Sequence, residues 1–103
     1  MHIITIKAKR AQSLKEYIVG LIGEKNPKAL VLRTRFGIHT FGLRFPIDIA
    51  VLDKHNAVVK LRTKLSKNSI FVWNPKYATV LEMPIGTIEK NGIVIGSKIE
   101  ILF

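Results

Sequence analysis

Arg44 and Asp48 are the side chains in this sequence best suited to holding a ligand or moving a proton, with His39 before them and Glu82 after. Arg44 presents a planar, permanently charged fork of donors that fits a carboxylate or a phosphate. Four residues of straight strand span roughly 13 Å, so Arg44 and Asp48 cannot pair along one strand. A bulge at Pro46 would shorten the gap. Otherwise each pairs across to a neighbouring strand, with Glu82 an acceptor for Arg44. Two uses are open: these are polar groups that fix strand register, or they form a polar pocket for a small anion, with Arg44 as donor and His39, Asp48 and Glu82 shaping it. Trp73 stands beside Asn74 and Pro75 at a strand end and is the best exposed-aromatic candidate to join them.

Other chemistries find less support. His39 as a zinc ligand would need two or three partners, and no second His or Cys stands at ligand spacing, so no metal is expected. With no cysteine there is neither a disulfide framework nor a thiolate nucleophile. No serine occupies a nucleophile elbow. Gly86, Gly92 and Gly96 match neither a dinucleotide fingerprint nor a phosphate-binding loop, so no cofactor is expected. What remains of an enzyme is His39 with Asp48 as a proton-transfer pair.

These residues lie in or near a run of alternating character. From Phe41 the odd positions Phe41, Leu43, Phe45, Ile47, Ile49 and Val51 are all apolar, while Arg44 and Asp48 fall on the even ones. A period of two predicts a strand with one face in a core and the charged pair on the other. Pro46 cannot donate to a ladder, which predicts an edge position or a bulge. Asp53-Lys54-His55-Asn56 predicts a hairpin turn, with Asn56 at positive φ, returning through residues 57–63.

Elsewhere, residues 2–8, 29–36, 70–73, 77–83, 93–95 and 98–103 read as strands, and Asn91-Gly92 as a tight turn. Ser13 with Glu16 fits a capping box, and Leu14, Tyr17, Ile18, Leu21 and Ile22 recur at helical spacing, predicting one helix of about ten residues ending near Gly23. The 103 residues, 48% hydrophobic, suffice for a single domain spanning 1–103. The expected fold is mainly β, a small antiparallel β-sandwich or barrel with one short N-terminal helix.

The charge balance is strongly basic, with 17 Lys plus Arg against 7 Asp plus Glu and a formal net charge of +10. A surplus of this size favours any polyanion through counterion release. Lys and Ile abundance with a single Gln fits a thermostable protein. The first residues lack a secretory signal and no run spans a membrane, so a cytoplasmic protein without a membrane partner is expected. Phe36, Phe41, Phe45, Phe71, Trp73 and Tyr77 interleave with Arg33, Arg35, Arg44, Lys67 and Lys76, as in sheets that bind single strands. Against that use, the alternation puts Phe41 and Phe45 in the core, and RFGIHTFGLRF is not the RNA-recognition consensus.

IHTFGLRFPIDIAVLDKHNAVV, followed by VLEMPIGTI and GIVIGSKIEI, resembles the domain of unknown function 192 family, whose members show a basic residue, a Pro-Leu/Ile-Asp strand and a downstream Leu-Glu-Leu-x-x-Gly. The resemblance runs from EYIVGLIGEK to the end of the chain. It implies a compact, mainly β domain with a short helix near the N-terminus, and it implies no activity. Two features depart from the family: the export signal of many bacterial relatives is absent, and the usual Gly-Asp pair is Gly96-Ser97. The sequence therefore predicts a non-enzymatic binding module for an anionic small molecule or nucleic acid.

Overall fold

The computed structural model describes residues 3–11, 29–41, 43 and 45–103. The helix expected from Ser13 to Gly23 lies outside the described residues, as does Arg44. Among the described residues, eight strands and one helix follow in chain order: β1 (Ile3–Ala11), β2 (Ala29–Arg33), β3 (Gly37–His39), β4 (Ile47–Leu52), β5 (Val58–Leu65), β6 (Ile70–Val72), β7 (Thr79–Pro84), α1 (Thr87–Asn91) and β8 (Lys98–Leu102). The protein is mainly β, as expected.

Six strands form one sheet in the order β5-β4-β7-β2-β1-β8, and β3 with β6 forms a second, two-stranded sheet. The large sheet is mixed rather than antiparallel throughout, because β1 runs parallel to both β2 and β8. It curls into a half-barrel whose outermost strands meet. Ala57 pairs with Lys98, the Val58 N–H donates to the Ser97 carbonyl at 2.9 Å, and the Ile99 N–H donates to the Asn56 carbonyl at 2.9 Å.

Side-chain alternation sends two apolar sets to opposite faces of this sheet. The inner set, on the concave face, includes Ile6, Val31, Leu52, Val58, Leu81 and Ile99, one from each of the six strands, together with Ile88 of α1. The outer set joins Leu30, Leu32, Ile47, Ile49, Val51 and Val80 to Ile38 of β3 and Phe71 of β6. The small sheet therefore covers part of the convex face, and β4 is buried on both sides along its whole length.

That layering corrects the reading of the alternating run. Ile47, Ile49 and Val51 do share a core face, but the opposite face is a second core and not a polar surface. The strand begins only after Pro46, and Phe41 sits in a turn, 47% exposed. The irregularity lies one step beyond the proline: Ile47 pairs with Leu65 and Ile49 with Arg62, so β5 carries an extra residue there. Lys64 in this bulge takes φ +52.

Asn56 takes φ +63 in the hairpin turn, as its sequence predicts. Residues 93–95 are not a strand. Instead Thr87–Asn91 is a single helical turn and a half, ended by Gly92 in the left-handed region at φ +62. Five residues are too few for a helical period to show in the sequence.

Candidate functional site

The structure distributes the sequence-predicted residues over several places rather than one. Asp48 is buried, 1% exposed, on the inner face. Its Oδ1 accepts the Lys64 N–H at 3.0 Å and its Oδ2 accepts the Ile88 N–H at 3.0 Å. Both carboxylate oxygens are thus bonded to backbone, one on the β5 bulge and one on the first turn of α1. Glu82 is equally buried, but it lies between Leu30 and Ile49 in register, on the outer face. The thickness of the sheet separates the two acids.

His39 is on β3, in the layer over the outer face, with its ring stacked on Phe41 at 5.0 Å between centroids. Its Nδ1 is buried and meets no hydrogen-bond partner among the described residues. The sheet stands between His39 and Asp48, so the two are not a proton-transfer pair. Trp73 is buried rather than exposed. Its indole N–H donates to the Tyr77 carbonyl at 2.8 Å, closing the turn through Asn74 and Pro75. Among the described residues no cluster of His, Asp or Glu could hold a metal ion.

A different set of residues converges at the mouth of the half-barrel. On β1 the inward positions run Ile6, Ala8, Arg10, and on β2 they run Ala29, Val31, Arg33. The alternation that packs apolar side chains into the concave core therefore delivers an arginine at the end of each strand. Ile101 and Phe103 close the same mouth from β8 and beyond it, and Thr79 and Asn56 add uncharged polar groups. Together these residues line a cavity of about 600 Å³, within the usual range for small-ligand sites. The Arg10 guanidinium lies 4.5 Å over the Phe103 ring, which holds it at the rim. Helix α1 packs Ile88 into the inner core at the opposite end, where β7 finishes.

A second cavity of about 330 Å³ adjoins the first through Arg33, Asn56 and Thr79, and adds Arg35, Lys54, Lys76 and Tyr77. Its one acid, Asp53, is engaged locally: Oδ1 accepts the His55 N–H at 2.8 Å and the Ala57 N–H at 3.0 Å. The bond from Ala57 is the main reason its carboxyl is held below the ordinary value of 3.8, with the His55 N–H adding to it. The Arg35 guanidinium donates to the Pro75 carbonyl at 2.7 Å, which fixes it against the 74–77 turn.

The arrangement of acids sharpens this electrostatic picture. Of the five carboxylates in the described residues, Asp48 and Glu82 are buried and Asp53 is half-buried, so only Glu89 and Glu100 are exposed. Lys and Arg side chains are exposed on β1, β5 and the loops. Among the described residues the exposed charge is therefore predominantly cationic. Lys60 on β5 has a structural use, since its ammonium donates to the Val72 carbonyl at 2.8 Å and lies 5.0 Å from the Phe71 ring centroid, tying β5 to the small sheet. Arg10 and Arg33 have no such use, because they face the mouth. No local motif marks them. Their only trace in the sequence is the shared pattern of two apolar residues and then Arg at alternate positions, and their convergence depends on the parallel pairing of β1 with β2.

Two solved structures share the fold. One is a protein of unknown function from Novosphingobium aromaticivorans DSM 12444, with a TM-score of 0.69 and 16% identity, over 88% of this chain and 71% of the other. The second is from Sinorhizobium meliloti 1021 and is described as a "putative transcription regulator", with a TM-score of 0.71 and 15% identity, over 86% of this chain and 76% of the other. No curated protein matches significantly. No helix among the described residues is long and apolar enough to cross a membrane. The family model of domain of unknown function 192, described as Uncharacterized ACR, matches residues 2–101. With nearly the whole sequence matched and the expected mainly β fold in place, the chain belongs to the domain of unknown function 192 family.

Proposed function

We propose that this domain is a non-enzymatic binding module whose ligand or partner is anionic, held at the mouth of the half-barrel. The observation that carries the reading is the turnover at the mouth: inward positions that hold Ile, Ala and Val along β1 and β2 end in Arg10 and Arg33. Exposed guanidinium groups in a concave site bind carboxylates and phosphates through paired hydrogen bonds. Arg35, Lys54 and Lys76 extend the positive surface beyond a single small anion, which favours an extended polyanion. One solved neighbour is described as a "putative transcription regulator", which is in keeping with nucleic acid as such a partner.

Calorimetric titration with inorganic polyphosphate at about 150 mM salt tests this. Saturable binding weakened by Arg33→Ala supports the site. Binding that disappears at that salt, or that ignores Arg10→Ala and Arg33→Ala alike, rules it out.

A further inference from the structure

The geometry points to a single-stranded nucleic acid as the partner, with phosphates along the cations of the mouth and a base stacked on Phe36. This rests on the anion-binding reading above and adds the class of the partner.

Phe36 carries the inference through three independent features. It is 67% exposed, although it is a large aromatic residue. Its φ is +77, a conformation that bulky side chains adopt only when the surroundings impose it. And it is the residue immediately after Arg35, which lines the cationic groove. The surroundings that impose the conformation are visible. The Gly37 N–H donates to the Arg35 carbonyl at 3.0 Å, closing a three-residue turn over Phe36, and the Trp73 N–H donates to the Phe36 carbonyl at 3.0 Å. Arg35 is fixed by Pro75. The fold thus spends backbone strain to hold a phenyl ring in solvent, one residue along the chain from a groove-lining arginine, and strain of that kind gathers at functional sites.

From Phe36 an apolar strip continues over the outer surface of the small sheet through Val72 and Ile70 to Phe41, all exposed. Residues 34–47 and 54–81 contain no Asp or Glu, and the one acid that lines the groove, Asp53, is engaged by the His55 and Ala57 N–H groups. An apolar strip for an ordinary protein partner has no need of such a predominantly positive margin. A polyphosphate chain has no use for an exposed ring. A single-stranded nucleic acid uses both, since bases stack on aromatic rings while the backbone follows the positive charge. The fixed turn also limits the ordering cost of binding, because the ring is already in place.

The test compares two probes by fluorescence polarisation at about 150 mM salt: a labelled oligothymidylate about 12 nucleotides long, and inorganic polyphosphate as competitor. Phe36→Asn removes the ring and keeps the turn, because Asn tolerates positive φ; its melting temperature should not fall. The expected result is an affinity for the oligonucleotide about tenfold weaker in Phe36→Asn, with unchanged affinity for polyphosphate. Arg33→Ala should weaken both. Equal oligonucleotide binding by Phe36→Asn and the parent, or tighter binding of a duplex of the same length, overturns the nucleic-acid inference while the anion site stands. Failure of both probes to bind overturns the anion site itself.

Discussion

Asp48 accepts the backbone N–H of Ile88 at 3.0 Å across 40 residues of sequence. The first N–H groups of a helix have no partner within it, and Gly86 at the N-cap of α1 has no side chain to offer one. Asp48 supplies the cap from a central strand, while its other oxygen holds the Lys64 N–H of the β5 bulge. One carboxylate therefore ties together β4, β5 and α1.

Removing that carboxylate should destabilise the fold strongly. Asp48→Ala leaves two backbone donors without their acceptor in a buried site, a loss of about 3–5 kcal/mol. Asp48→Asn keeps one acceptor and should cost roughly half as much. Urea unfolding measures both. A folded Asp48→Asn protein should bind polyanions as the parent does, because the residue faces the inner core away from the mouth. A variant of unchanged stability and weakened binding would reverse the assignment of Asp48.

The hairpin turn should impart acid sensitivity. Asp53 is held below 3.8 by the Ala57 and His55 N–H groups, so the unfolded chain takes up its proton first as pH falls. The stabilisation is complete above the unfolded value and is lost as pH drops through the lower folded one. Asp53→Asn retains an amide oxygen for the same donors and should lie within about 1 kcal/mol of the parent near neutrality. Thermal melts across the acid range should show the parent falling more steeply than Asp53→Asn below about pH 4. Parallel curves would show that Asp53 contributes nothing to acid sensitivity.

Trp73 should act on stability alone. Trp73→Phe loses the indole bond to the Tyr77 carbonyl and part of the packing on Phe71, a cost of about 1–2 kcal/mol. Denaturant midpoints should fall while affinity for oligonucleotide or polyphosphate holds. Lost affinity in a well-folded Trp73→Phe protein would mean that the ring reaches the ligand.

Local signals in the sequence were good guides where local physics decides. Asn56 in its turn and Ile47, Ile49 and Val51 on one face follow from residue type and spacing alone. The even positions of β4 misled because the strand lies between two cores. The layer over its outer face comes from β3 and β6, three residues each, too short to announce themselves by alternation. Asp48 and Glu82 could be picked out as unusual acids, but a half-turn along a strand decides which side of the sheet an acid occupies, and that depends on where β4 begins. The mouth was the least legible part. Arg10 and Arg33 are 23 positions apart in number and become neighbours only through a parallel pairing between β1 and β2. Phe36 could be read as an aromatic among cations, but its exposure depends on the turn that the Trp73 N–H helps to fix.

Arg10 and Arg33 at the mouth of the half-barrel are proposed to hold an anionic partner. The most direct measurement is the salt dependence of polyanion binding by the parent and by the Arg10→Ala/Arg33→Ala double variant, with thermal melts to confirm that both are folded. Each phosphate contact removed should lower the slope of log affinity against log salt by about 1, so the double variant should show a slope shallower by roughly 2 and weaker binding at every salt concentration. Two folded proteins with the same slope and the same affinity would rule out Arg10 and Arg33 as the anion site, and would place the anionic partner elsewhere on the basic surface.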